Sequence, residues 1–594
     1  MWSRRKRTKI GRLFIERLHA KEEKGELMMK FSEYSYARPD IDGAENELNK
    51  KLQQFKEADS VEKQVEALNK MNEIRNRIST MMDLCHIRHT IDTTDSFYKQ
   101  EQDYMDAVSP RMEGISSRMN EALLASPFRP ELEKLFGKQL FLLAEAQVKT
   151  FSKEVLPLLE KENRLASRYT QLVASAQIEF QGKTLTLAQI EPYTESSDRS
   201  TRKKATEARF AFFAEHEEQF DAIYDELVKV RTEIARKLGF QNFVELGYAR
   251  LNRVDYQAEM VKGYREQIKK FIVPLANKLR KTQAQRIGLE KLKFYDEGYQ
   301  FTTGNAKPKG EADWIIQKGQ QMYKELSEET NEFFQFMLDH ELMDLTAKAG
   351  KAGGGYCTYM SDYHSPFIFS NFNGTSGDID VLTHEAGHAF QVYSSRGFTV
   401  PEYLWPTYEA CEIHSMSMEF FTWPWMKLFF KEETDKYQYA HLSEAVLFLP
   451  YGAAVDEFQH RVYEEPDLTP AERKAVWKEI EKAYLPHRDY DGMSYLEAGG
   501  FWQRQGHIYE VPFYYIDYTL AQVCALQFWK RMQEDREQAW EDYMKICRVG
   551  GSLSFTEIVE LARLTSPFED GCMEKVLEPI EQWLDQAGSR LMDQ

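Results

Sequence analysis

Cysteine is scarce in this chain. The six present, Cys85, Cys357, Cys411, Cys524, Cys547 and Cys572, form no CxxC pair in 594 residues. That argues against a disulfide framework and fits a reducing compartment, so a cytoplasmic location is expected. Long apolar runs are missing too. The best candidate, "AVLFLPYGAAV" (445–455), is interrupted by Pro450 and falls short of the ~18 residues a membrane helix requires. Positive charge is in deficit: 77 Lys and Arg face 95 Asp and Glu, a formal charge of −18. A nucleic-acid binder needs a basic face, so that class is disfavoured and no nucleic-acid partner is expected. No repeat and no long low-complexity linker is visible.

What remains is a folded globular composition, 42% hydrophobic, 29% charged and 13% aromatic, long enough for a large core and two or more subdomains. The basic residues cluster at the start. Residues 1–28 carry nine Lys and Arg against four Asp and Glu, without the apolar core of a signal peptide. "EKGELMM" back-translates to a sequence that can hold AAGGAG just before two ATG codons. A ribosome-binding site read as protein is therefore expected, with Met28 or Met29 as the native start.

From Asp40 to about Gly137 the pattern is helical. "ENELNKKLQQFKEADSVEKQVEALNKMNEIRNRISTMMDL" has no Gly or Pro, and its Leu and Met recur at three- and four-residue steps. Pro130 suits a helix's first turn and Gly137 its end. "IEFQGKTLTL" (178–187) reads as a small β-hairpin turning at Gln181-Gly182. Helices resume near Ser197 and continue to about Lys348. The character changes at "KAGGGYCTYMSDYHSPFIFSNFNGTSGD" (351–378), which predicts a glycine loop, two short strands and a turn. Helices follow, broken by a loose stretch, "YLEAGGFWQRQGH" (495–507). The expected division is a leader (1–28), an N-terminal helical region with the hairpin (29–196) and a second, functional domain (197–594).

Only 13 histidines are available, and "VLTHEAGHAFQVY" (381–393) places two of them four apart. On a helix, i and i+4 share a face. His384 and His388 can chelate one Zn2+ through two imidazoles. Glu385, rotated about 100°, flanks the metal and can take a proton from water. His-Glu-x-x-His should arise by chance on the order of 0.03 times in a chain like this. Ser376 or Asp378 can cap the helix. Ala386 and Gly387 make close packing against a second helix plausible. A hydrolytic zinc needs a third protein ligand. The position six residues after the second His is Ser394, which excludes a third His there. "WPTYEACEIHSMSMEFF" (405–421), with Pro406 suited to a first helical turn, offers Glu409, Glu412 and Glu419. Glu409 and Glu412 are i, i+3 and share a face, so one can ligate while the other accepts a ligating histidine's outer N–H; spacing does not choose between them.

A second block, "HIYEVPFYYIDY" (507–518), joins a histidine to a run of tyrosines after Gly499, Gly500 and Gly506. Tyr515 and Tyr518 share a helix face. Phenol and imidazole groups can donate to a developing oxyanion, although an aromatic core stripe is the plainer reading. "SPFIFSNF" (365–372) reads either as a buried strand or as a sheet edge where an extended peptide adds, with Gly353, Gly354 and Gly355 allowing close approach.

HEAGH followed downstream by the glutamates of "EACEIHSMSME" resembles the oligoendopeptidase F and thimet oligopeptidase family of zinc metallopeptidases. The resemblance runs from about "GGGYCTY" (353–359) to "PFYYIDYTLAQ" (512–522) and is nearer to oligoendopeptidase F and Pz-peptidase-like members. It implies a mainly α fold, two helical halves around a deep substrate channel, with a small β-sheet beside the HExxH helix. It implies one Zn2+ on His384, His388 and Glu412, with Glu409 as the acidic partner of a ligating histidine. It implies catalytic roles for Glu385, His507, Tyr515 and Tyr518, and substrate contacts from Gly353, Gly354, Gly355, Tyr356 and Tyr514. The spacing departs between His507 and Tyr514, where the thimet branch has another tyrosine. The expected activity is endopeptidase cleavage of short unfolded peptides without membrane involvement. An exopeptidase would need a cation for the substrate's terminal carboxylate, for which Arg396, Arg488 and Arg504 are candidates. A helical binding protein with a degenerate metal site is the rival from another class.

Overall fold

Stretches free of Gly and Pro become helices in the structure, a computed structural model that describes residues 29–348 and 350–592. The expected leader lies outside those residues. The run from Asp40 forms helices Ile41–Glu57 and Val61–Ile91. The break between them falls where Ser60 accepts the Lys63 N–H, a side-chain cap that helices favour. The helix carrying Pro130 spans Arg129–Phe136 and ends at Gly137, whose φ is +93°. No helix among the described residues is long and apolar enough to cross a membrane, and all six cysteines are free. The mainly α fold is as the sequence implied, with two small sheets.

The hairpin pairs β1 (Ile178–Phe180) with β2 (Lys183–Leu185). Gln181 and Gly182 both adopt positive φ, 49° and 75°, the backbone that a two-residue hairpin turn requires. The second sheet holds one strand that the sequence pattern concealed, β3 (Met343–Thr346), beside the two expected ones, β4 (Tyr356–Met360) and β5 (Ser365–Phe372). Its order is β3-β5-β4, with β3 parallel and β4 antiparallel to β5. β5 is therefore the central strand and not an edge. Its backbone is committed on both sides, so the edge left open at this end of the sheet belongs to β4.

β4 alternates between two environments, as a strand must. The Tyr356 hydroxyl lies 2.6 Å from Thr90 Oγ1, and Thr358 donates to Asp83 at 3.0 Å. These even positions face the Val61–Ile91 helix. Gly355 and Cys357 face the HExxH helix, and Cys357 feels the charge of Glu385.

Buried apolar side chains form one extensive core, a smaller one and two clusters of a few residues each. The smaller is built from Ile41 to Ala144 and closed by Val400 and Tyr403. The Leu156–Ala174 helix contributes Leu165 and Tyr169 to the large core instead. The 495–507 stretch, read as loose, is packed: Trp502 and Gln503 are fully buried, and a Cβ on Gly500 would lie 2.5 Å from the Tyr495 ring.

Candidate metal centre and active site

The HExxH helix spans Gly377–Ser395. Ser376 stands at its N-cap without a capping bond. Asp378 instead accepts the N–H groups of Asn373 and Gly374, each at 2.8 Å, fastening the helix to the turn after β5. Small residues then permit a close crossing. A Cβ on Gly387 would come within 2.6 Å of Ser415 Cα and 2.8 Å of the His414 carbonyl oxygen. Those atoms belong to the helix Tyr408–Phe421, which carries Glu412. Pro406 lies outside that helix, ahead of the Thr407 cap.

The crossing brings three side chains together. Ligand atoms of His384, His388 and Glu412 all lie within 4.8 Å of one another. Glu412 Oε2 is 3.2 Å from His384 Nε2 and 3.4 Å from His388 Nε2. Two donors at about 2.0–2.2 Å from a tetrahedral zinc lie about 3.3–3.6 Å apart, so this set fits the metal. Glu412 is further held by Ser415 Oγ at 2.9 Å and by the Tyr514 hydroxyl at 2.6 Å on its other oxygen.

The partner of the ligating histidine is not Glu409. His384 Nδ1 donates to Glu419 Oε1 at 2.7 Å, and Glu419 Oε2 lies 2.7 Å from His441 Nε2. His441 Nδ1 accepts the Trp423 indole N–H at 3.0 Å, so its proton sits on Nε2 and goes to Glu419. This chain keeps the proton of His384 on Nδ1 and leaves Nε2 bare for a metal. Helix geometry explains the correction. Glu419 stands two turns beyond Glu412 and returns almost to the same face. Glu409, three positions before Glu412, falls short of a full turn of roughly 3.6 residues and points further aside. Glu409 is fully buried with neither oxygen hydrogen-bonded. Burial, then the charge of Asp517, raises its carboxyl above the usual range.

Glu385 is 7% exposed and its Oε2 has no partner. Burial raises its carboxyl above the ordinary value, opposed by the adjacent histidines. A Cβ on Gly355 would sit 3.4 Å from Glu385 Oε1, so glycine there keeps the space beside this carboxylate clear. Gly353 and Gly354 have nothing within 4 Å of where a Cβ would be. Tyr356 is turned away from the site toward Thr90, as the alternation of β4 requires.

The tyrosine block wraps onto the same centre. Phe513 takes φ +68°, and its backbone N–H and carbonyl are held by Gln459 (2.9 Å) and Arg253 (2.7 Å). Arg253 also pairs with Asp517 at 2.6 Å, fixing the start of the helix Tyr515–Glu534. The His507 ring centre lies 5.6, 4.9 and 5.6 Å from those of Tyr514, Tyr515 and Tyr518. The Tyr518 hydroxyl is 3.5 Å from His507 Nε2. Tyr514 serves Glu412 directly. Tyr515 and Tyr518 line a cavity of about 300 Å³ together with Asp380, Glu419, His441 and Glu444. Glu419 could have been read from its two-turn spacing to Glu412. His441, further along in another helix, and Arg253, in a loop 260 residues before Phe513, have no local signal.

A mainly helical chain that gathers two histidines and a glutamate about one centre, with a free carboxylate next to them in sequence, is of the peptidase class. The model of the peptidase M3 N-terminal domain matches residues 31–151, and that of peptidase family M3 matches residues 192–577. A solved structure of Pz peptidase A with an inhibitor is 63% identical, with 94% of this chain and 99% of that one covered, at a TM-score of 0.92. A structure from Bacillus anthracis str. Ames, assigned as an oligoendopeptidase F, is 59% identical over 94% and 98% of the two chains, at a TM-score of 0.88. Oligopeptidase PepF of Bacillus subtilis (strain 168) is 23% identical over 93% of this chain and 88% of its own length. The chain belongs to peptidase family M3, among the oligoendopeptidase F proteins.

Proposed function

We propose that this peptidase is a cytoplasmic zinc-dependent endopeptidase that cleaves short unfolded peptides. The observation that carries the zinc assignment is the 3.2 and 3.4 Å spacing of two imidazole nitrogens about one carboxylate oxygen. Zn2+ held by His384, His388 and Glu412 would supply a Lewis acid for the scissile carbonyl and the attacking water. Glu385 accepts the water's proton at its free Oε2 and passes it to the leaving nitrogen. His507, Tyr515 and Tyr518 donate to the oxygen that gains charge as the carbonyl becomes tetrahedral. Gly353 to Gly355 lead into β4, whose outer edge can take an extended peptide by backbone hydrogen bonds beside Glu385. The names of the relatives, oligopeptidase PepF among them, support the substrate class.

The exopeptidase alternative loses two of its three cations. Arg396 stacks on Tyr393, 3.3 Å from the ring centre, and bonds its carbonyl. Arg488 is paired with Glu297 at 3.0 Å and Glu481 at 3.4 Å. Arg504 stands beside the Tyr451 ring. A test peptide blocked at both ends separates the readings. Cleavage at an internal bond is expected; cleavage only when one end is freed would contradict endopeptidase action.

A further inference from the structure

His507 donates to substrate only if its Nε2 carries the proton. Burial holds its imidazole low, at about 4, so near neutral pH the ring is uncharged and owns a single N–H. Nothing in the tyrosine block fixes which nitrogen that is, because a tyrosine hydroxyl can donate or accept. The other face of the ring does. Gln505 Nε2 lies 2.8 Å from His507 Nδ1, and the Tyr451 hydroxyl lies 2.9 Å from Gln505 Oε1. Both are buried, Gln505 at 9% and Tyr451 at 8% exposure. The Tyr451 hydroxyl has no other acceptor among the described residues; the Arg504 guanidinium lies beside its ring, 5.9 Å from the centre, and over the Phe501 ring at 4.8 Å.

That one acceptor sets the direction of the row. The buried Tyr451 hydroxyl sends its proton to Gln505 Oε1. The amide then presents Nε2–H to His507 Nδ1, which must be bare to accept it. In the opposite direction Gln505 would donate to Tyr451 and leave the hydroxyl proton without an acceptor in a buried place, a costly state.

We infer that Tyr451 and Gln505 are positioning residues, a one-way hydrogen-bond relay that holds His507 as the Nε2–H tautomer aimed at the reacting carbonyl. The proposal rests on the oxyanion role given to His507 above. It accounts for a buried tyrosine and a buried glutamine that the metal and the proton-transferring glutamate do not need.

The test is nitrogen NMR of the full-length zinc-loaded protein with 15N-labelled histidine, the His507 signals being identified by their loss in His507→Gln. The expected result is a proton on Nε2 and none on Nδ1. In Gln505→Met both tautomers should appear. Its kcat should fall by about 10- to 10²-fold, less than the 10²–10³-fold of an oxyanion donor removed outright. KM and zinc content should hold. Tyr451→Phe should mix the tautomers to a lesser degree, with a smaller fall in kcat. A wild-type proton on Nδ1 overturns the relay, as does a pure Nε2–H signal surviving in Gln505→Met. Should His507→Gln retain full kcat, the oxyanion role fails, while the tautomer result still judges the relay.

Discussion

At the residue scale the account turns on protons with assigned places. His384 is fixed by Glu419 and His441 so that its metal-facing nitrogen is bare. Glu385 keeps one oxygen free. Glu385→Gln should retain zinc and lose about 10²–10⁴-fold in kcat, the span of general acid–base catalysis. Loss of zinc from that variant would mean that base and ligand have been exchanged. Tyr518→Phe should lose about 10²–10³-fold in kcat at unchanged zinc content; near-normal turnover would make it a packing residue. Glu419→Ala should weaken zinc about 10- to 100-fold, whereas Glu409→Gln should leave zinc affinity where it is. Equal effects from the two would return Glu409 to the histidine. The two histidines and the carboxylate proposed as base were legible as a candidate site because they lie in five consecutive residues. The acidic partner of His384 is Glu419 and not Glu409. A three-residue step looks close on a helical wheel, but a seven-residue step is closer in angle.

At the element scale, the site exists because two helices cross at a glycine. Gly387 brings the HExxH helix onto the helix of Glu412, and a methyl group there would meet backbone, which does not move aside as a flexible side chain would. Gly387→Ala should gain up to about 1 kcal/mol of helix propensity. It should lose about 1–3 kcal/mol to overpacking. The net expectation is weaker zinc binding and a lower melting temperature, read by metal titration and thermal denaturation. An unchanged zinc affinity would show that the crossing tolerates the extra carbon. The helices, the hairpin and the HExxH element were visible in periodicity and turn chemistry. The sheet was less so. β5 is buried almost throughout because it is covered on both faces, and such a strand does not announce whether it lies at an edge. β3 is a short strand at the end of a helical region, too brief for its alternation to stand out. Tyr356 was assigned to substrate from its neighbours in sequence, yet adjacent residues of a strand face opposite ways.

At the scale of the whole molecule, the groups proposed to act come from positions 353 to 518 and are braced by Arg253 from a loop and Gln459 from another helix. No local window contains them. What joins them is the large core. A ligand that binds only the folded chain stabilises it by mass action, by about 4 kcal/mol at a thousand times its dissociation constant. Removing zinc with a chelator should therefore lower the melting temperature and abolish peptide cleavage, and added Zn2+ should restore both. A melting temperature indifferent to zinc would leave His384, His388 and Glu412 as an ordinary polar cluster.

Anomalous diffraction at the zinc absorption edge, from crystals of the protein grown with the metal, tests the central claim most directly. One peak per chain is expected, about 2.0–2.2 Å from His384 Nε2, His388 Nε2 and a Glu412 oxygen, with Glu385 close by and not bound. A peak elsewhere, or none at this trio in zinc-loaded protein, would contradict it.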